Sequence, residues 1–113
     1  MFYHFSQNNS GGRFRVDLDR GITVEVIVEA DTLEEAQARA EDIGLYWDGV
    51  SDGSDCECCG DRWSRPYGNL DPEPMLYGIP VLQHVHSSEF TQWVTQKGRE
   101  VCIHFLNGEK VWL

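Results

Sequence analysis

Apolar and polar residues alternate along much of the first thirty positions, a pattern typical of half-buried antiparallel strands. In the middle of this region the alternation would turn Phe14, Val16 and Leu18 toward a core. A polar loop, residues 7–12, interrupts the pattern and predicts a hairpin connection. The pattern thus predicts three short strands, at residues 1–6, 13–19 and 22–28.

The next segment has the spacing of an amphipathic helix. Asp31 is a suitable N-cap, Glu34 can reach back toward it, and early acidic residues suit the helix dipole. Gly44 marks the expected C-terminal end. Small and apolar residues recur on one face and would let the helix lie close against a sheet: Leu33, Ala36, Ala40 and Ile43.

Regular patterning fades between residues 45 and 80, where glycines and all four prolines break any run. A stretch of this length calls for an internal staple or a binding role. Beyond it the pattern predicts a strand, a short helix and an Asn-Gly hairpin, at residues 81–86, 87–95 and 101–113. We therefore predict one α+β domain, residues 1–113, with an antiparallel sheet, one main helix packed on a face and a loop-rich cysteine-knuckle insert.

The charge of the chain is strongly negative and unevenly distributed. The formal net charge is −10, and residues 17–61 hold 14 Asp and Glu against two Arg. Such a field repels nucleic acid and attracts basic partners, so no direct nucleic-acid binding is expected. The alternative is that the acidic residues bind no partner and only keep the protein soluble. No apolar run approaches the roughly 20 residues of a membrane span, which favours a cytosolic protein without membrane contact.

Three cysteines lie within four positions and form the sharpest chemical signal of the chain. Cys56 and Cys59 have the C-x-x-C spacing of a zinc knuckle, with Cys58 between them and Gly60 behind. Free thiols are the alternative. Zinc here would be structural, because no H-E-x-x-H or H-x-E element supplies a general base. Further ligands could come from one face of a strand, Cys102 with His104, or from His4, His84 and His86.

Cationic and aromatic residues follow the knuckle and are candidates for binding. Such residues often anchor interfaces or stack on planar ligands. The alternative is that Trp63 fills the core while Arg62 pairs with a neighbouring acid. Exposed acids of the helix form a second candidate contact surface. The candidate binding residues are Asp61, Arg62, Trp63 and Arg65, the loop residues Asn8 and Asn9, and the helix acids Glu34, Glu35, Glu41 and Asp42.

Several segments together resemble a family of small uncharacterised acidic proteins encoded by bacteriophages. The resemblance covers roughly the first 70 residues, and its two clearest motifs are Q-N-N-S-G-G at residues 7–12 and C-x-C-C-G-D-R-W at residues 56–63. It implies a phage gene product in the cytoplasm of the host bacterium. The resemblance implies no established activity.

The sequence contains no nucleophile elbow, P-loop or dinucleotide-binding glycine pattern, so we do not expect an enzyme. The leading hypothesis is a non-enzymatic protein that inhibits a bacterial defence or nucleic-acid-handling protein, using its acidic stretch against a basic surface. One alternative is a sponge for a small nucleotide signal. Another is a small zinc-stabilised interaction protein.

Overall fold

The computed structural model describes residues 1–8, 14–55, 57, 60–63, 71–76, 79–81 and 101–112. Over this part of the chain four strands form one sheet in the order β1-β2-β5-β6, and two further strands, β3 and β4, form a small hairpin sheet. The elements are β1 (Phe2–Ser6), β2 (Glu25–Glu29), α1 (Leu33–Ile43), β3 (Met75–Leu76), β4 (Ile79–Pro80), β5 (Val101–His104) and β6 (Lys110–Trp112). The predicted α+β class is confirmed.

The four-stranded sheet is mixed rather than wholly antiparallel. β1 pairs antiparallel with β2, with Phe5 opposite Val26, and β5 pairs antiparallel with β6. The central pair, β2 and β5, is parallel, with Val26 opposite Cys102. A parallel pair needs a crossover connection, and the long segment between these strands, which includes α1, supplies one.

The N-cap of helix α1 lies one residue later than predicted. Thr32, not Asp31, is the N-cap, and its hydroxyl accepts a hydrogen bond from the Glu35 amide at 3.2 Å. The carboxylate of Glu35, rather than that of Glu34, then reaches back to the Asp31 amide at 3.3 Å. The predicted end at Gly44 is confirmed, because this residue has φ +126° and donates to the last-turn carbonyls.

Both faces of the sheet are covered, which explains why β2 and β5 are buried almost throughout. One face packs against α1 through Tyr3, Phe5 and Val26, which contact the small residues Ala36 and Ala40 of the helix. The opposite face carries a second apolar cluster. Its buried members are Phe2, Ile27, Val81, Val101 and Ile103.

The predicted strand at residues 13–19 is wrong for residues 14–19. This segment forms only an isolated bridge from Asp17 to Ile22, and its three apolar side chains are exposed. The Gln7 side chain explains the difference, since it accepts from the Arg15 amide at 2.6 Å and donates to the Arg15 carbonyl at 2.9 Å. A side chain thus takes the hydrogen bonds that a neighbouring strand would have made.

The predicted hairpin at the end of the chain is confirmed. Gly108 has φ +92°, as the turn requires, and its amide donates to the Phe105 carbonyl at 3.0 Å. The predicted strand at 81–86, except Val81, and the predicted helix at 87–95 lie outside the described residues.

Candidate functional site

A buried ion pair and its hydrogen bonds lie at the centre of the candidate site. The Arg62 side chain is 4% exposed, and its Nε lies 3.7 Å from Oδ1 of Asp55, whose side chain is fully buried. Asp55 also accepts from the Arg62 amide at 2.8 Å and from the Tyr46 hydroxyl at 2.7 Å. Burial, and then the hydrogen bond and charge of Asp55, raises the pKa of Tyr46, so its hydroxyl remains a donor.

This network continues into the first strand. Nη1 of Arg62 donates to Oε1 of Gln7 at 2.8 Å, and the Asn8 amide donates to the Arg62 carbonyl at 2.7 Å. Trp63 forms an isolated bridge with Gln7. We call the set of Gln7, Tyr46, Asp55 and Arg62 the Arg62 network. It attaches the segment around residues 60–63 to the end of β1.

The structure brings together four of the predicted binding residues, Asn8, Asp61, Arg62 and Trp63. Asn8 donates to the Asp61 carbonyl at 3.4 Å, and the Asp61 carboxylate accepts from the Val50 amide at 2.9 Å. Arg62 and Trp63 are both buried. Their side chains therefore serve packing and positioning here, as the alternative interpretation of the sequence had it. Asn9 and Arg65 lie outside the described residues.

The predicted acidic contact residues all lie on the solvent side of α1. We call Glu34, Glu35, Glu41 and Asp42 the acidic helix face, and all four are exposed. Two of them also have structural roles, since Glu35 caps the helix and Oε1 of Glu41 accepts from the Trp47 indole at 2.7 Å. None of the four forms a salt bridge within the described part of the chain.

The predicted metal ligands are only partly within the described residues. Cys56, Cys58 and Cys59 lie outside them, so zinc at the knuckle stays a prediction. Among the residues that the structure does describe, no group of three or more His, Cys, Asp and Glu could hold a metal ion. Cys102 and His104 share the helix-facing side of β5, as predicted from their spacing.

The immediate partner of both side chains is the turn at Gly21. Nε2 of His104 lies 2.8 Å from the Gly21 carbonyl, which can only accept, so this nitrogen carries the proton. A Cβ on Gly21 would lie 2.5 Å from Cε1 of His104 and 2.9 Å from Sγ of Cys102. Burial raises the pKa of Cys102 to about 11. The thiol is therefore protonated at neutral pH, and the pair anchors the turn.

A protein-family model matches residues 1–112 of the chain. The chain belongs to DUF7296, a domain of unknown function. No curated protein and no solved structure gives a significant match. The expectation of an uncharacterised family is confirmed at this level. Since the family description names no activity, the function of this DUF7296 domain has to be argued from its own residues.

One buried polar group of the DUF7296 domain was missed by sequence reasoning. Glu25 begins β2 and its side chain is fully buried, in contact with Nε2 of His4 and 3.4 Å from the Ser6 hydroxyl. Alternation had placed Glu25 on the polar side of its strand. Because the sheet is covered on both faces, that side is buried as well. The only signal in the sequence for this burial was that the neighbouring strand carries two polar residues, His4 and Ser6, that can contact Glu25.

No helix in the described part of the DUF7296 domain is both long and apolar enough to cross a membrane.

Proposed function

We propose that this DUF7296 domain is a bacteriophage accessory protein that binds and inhibits a bacterial defence or nucleic-acid-handling protein in the host cytoplasm. It acts without catalysis, and the acidic helix face contacts a basic surface of the partner. The observation that carries this proposal is the set of exposed carboxylates on α1 that form no salt bridge within the described residues. Phage origin rests on the resemblance of the sequence motifs.

Most cations near α1 have partners within the molecule, and Lys110, which shares a cleft with Asp42, forms no salt bridge with it. Arg39 lies on α1 itself, but its guanidinium donates to the Glu29 carbonyl and, at 2.9 Å, to the Phe105 carbonyl. Arg62 is buried with Asp55. Arg20 pairs with Asp17 at 3.7 Å. Consequently the carboxylates of the acidic helix face are left for an external partner.

Physical chemistry favours a protein partner over other classes. A surface with a concentrated negative field speeds encounter with a basic patch and repels DNA, RNA and anionic lipid. Basic patches are common where proteins hold nucleic acid, because phosphate contacts require Lys and Arg. An acidic protein that occupies such a patch competes directly with the phosphate backbone, which accounts for inhibition without chemistry.

The Arg62 network has a supporting role in this proposal. It fixes the segment that precedes and follows the cysteine knuckle, through Asp55 on one side and Arg62 on the other. A structural zinc bound by Cys56, Cys58 and Cys59 would stabilise the same segment by a second means. No contact among the described residues favours the nucleotide-sponge alternative, since Arg62 already has an internal counterion.

The zinc part of the proposal has its own test. Metal analysis of the purified protein should give one zinc per chain, and Cys59→Ser should lose both the metal and thermal stability. Cys102→Ser tests the predicted further ligand on β5: unchanged zinc content would confine the site to the knuckle, and loss of zinc would add Cys102 to its ligands. Zinc content at background level in the unaltered protein would contradict the zinc prediction and leave the binding proposal unaffected.

The binding proposal is tested by charge reversal on the helix. Immobilised protein is exposed to bacterial lysate at low and high salt, and the captured protein is then purified and assayed for its own activity. We expect Glu34→Lys with Asp42→Lys to abolish capture, high salt to weaken it, and the captured activity to fall when the unaltered domain is added.

A matched control reverses two exposed acids that lie outside α1, Asp52→Lys with Glu57→Lys. This control changes the net charge equally but should retain capture. Capture that is indifferent both to salt and to the helix variant would contradict the proposal.

A further inference from the structure

An open cleft of about 420 Å³ lies between the C-terminal end of α1, the turn after residue 18 and the β5–β6 hairpin. His104 forms part of its floor, and Ile43 and Gly108 part of its rim. Six charged residues line it, three of each sign: Asp19, Asp42, Glu109, Arg20, Arg39 and Lys110. We call it the mixed-charge cleft.

The opposite charges of the cleft are not paired with one another. Within the described residues, Asp42, Glu109 and Lys110 take part in no salt bridge, and Arg20 pairs with Asp17 instead. Charges of both signs thus face one shared space without forming salt bridges with one another. A ligand that carries both signs can contact each of them, whereas a purely anionic or cationic ligand would meet repulsion on one side.

The two signs are also distributed unevenly across the cleft. Arg39 and Lys110 lie toward the sheet, where Lys110 is the cross-strand neighbour of His104. The Arg39 guanidinium is held by the carbonyls of Glu29 and Phe105, so a ligand need not order it. These two residues supply positive charge on the sheet side of the cleft, where Glu109, the chain neighbour of Lys110, adds a negative charge.

The negative end lies at the last turn of α1. Asp42 is in this turn, and the turn contains no basic residue to balance the negative end of the helix dipole. Burial lowers the pKa of His104, and the charges of Lys110 and Arg39 lower it further. The imidazole is therefore neutral at pH 7 and adds no charge between the two ends.

We propose that the mixed-charge cleft binds a small zwitterion of the amino-acid or dipeptide class. The carboxylate of the ligand lies against Arg39 and Lys110, and its ammonium group lies near Asp42 at the end of α1. A cleft of this volume is within the usual size of small-molecule sites and can hold a dipeptide. This site shares Asp42 with the proposed protein contact but differs from it, because it requires the cations of the cleft as well as its acids.

The test uses alanylalanine and two capped forms of the same dipeptide. N-acetyl-alanylalanine keeps only the carboxylate, and alanylalanine amide keeps only the ammonium group. Titration is followed by amide NMR shifts of residues 104–110 and 42–44. We expect saturable binding of alanylalanine and at least about tenfold weaker binding of either capped form.

Two variants complete the experiment. Lys110→Met removes an exposed cation from the cleft and should weaken binding about tenfold, whereas Arg15→Met, which removes an exposed cation outside the cleft, should leave it unchanged. Absence of saturable shifts at about 10 mM alanylalanine would overturn the proposal. Equal binding of the N-acetyl form would also overturn it and make the cleft a simple anion site.

Discussion

The charged side chains in the interior of the molecule are paired with each other, whereas those on the outer face of α1 form no salt bridges in the described structure. Inside, Asp55 and Arg62 are buried, paired with each other and hydrogen-bonded to their neighbours. Outside, Glu34 and Asp42 are exposed and form no salt bridge in the described structure. The difference indicates that the interior uses the local arginines for the fold and leaves the carboxylates of the helix for a partner. It predicts that interior substitutions change stability and outer ones change binding.

The largest effect should follow from breaking the Arg62 network. Arg62→Met leaves Asp55 buried without its cation, and removing one partner of a buried pair typically costs about 3–5 kcal/mol. Urea unfolding followed by tryptophan fluorescence measures the change. Arg15→Met is the control, because this side chain is exposed and its loss should cost less than about 0.5 kcal/mol. Equal stability of the two variants would show that the ion pair does not hold the fold.

The two faces of α1 can be compared with the same substitution. Ala36 is fully buried against the sheet, so Ala36→Trp overpacks the core and should cost about 3 kcal/mol. Ala38 is exposed on the same helix, and Ala38→Trp should cost less than about 1 kcal/mol. Thermal melts of both variants measure the difference. Similar losses from both would mean that α1 does not pack as described.

The third prediction concerns the turn that Cys102 and His104 anchor. Gly21 and Gly53 both have positive φ, +73° and +78°, but only a Cβ on Gly21 would meet other atoms within 4 Å. Gly53→Ala should cost about 1 kcal/mol for the backbone alone. Gly21→Ala should cost about 2 kcal/mol because the imidazole must also move. If chemical denaturation gives the two variants the same free energy of unfolding, the close contact with His104 is not present in solution.

The smallest interior effect is a dependence of stability on pH. The pKa of His104 is lowered in the folded protein, so below about pH 6.5 the unfolded chain binds a proton that the folded chain does not. Stability should therefore fall as pH drops from about 6.5 toward the folded pKa, by at most about 1.4 kcal/mol per pH unit. His104→Gln should reduce this slope relative to the unaltered protein. Parallel pH profiles for the two proteins would rule out the assigned role of His104.

The sequence predicted the local elements better than their arrangement. Strand β1, helix α1 and the hairpin around Gly108 follow from periodicity and turn chemistry, which act over a few residues. The parallel pairing of β2 with β5 joins residues more than seventy positions apart, and no local pattern encodes it. The failed strand at 13–19 has a different cause, because the competing hydrogen bonds come from the side chain of Gln7, eight positions before Arg15.

The sequence predicted which residues belong to the candidate site, but it did not predict which of them are buried or which contact each other. The acids of α1 are exposed, which is what we expect for a helix whose opposite face is apolar. The burial of Arg62 and Trp63 could not be deduced, since an arginine beside an aromatic suits an interface and a core equally well. The pairing of Asp55 with Arg62, seven residues later, could not be predicted either, because it is apparent only in the fold, where the Arg62 amide donates to the Asp55 carboxylate.

The central claim is that the acidic helix face binds a basic surface of a bacterial protein. The most direct measurement is the affinity of the captured partner for the unaltered domain, for Glu34→Lys with Asp42→Lys, and for the control Asp52→Lys with Glu57→Lys, each at two salt concentrations. The account predicts a loss of at least about 100-fold for the helix variant, equivalent to about 2.7 kcal/mol, with unchanged urea unfolding and a salt-dependent affinity for the control. Equal affinity of all three proteins at both salt concentrations would contradict it.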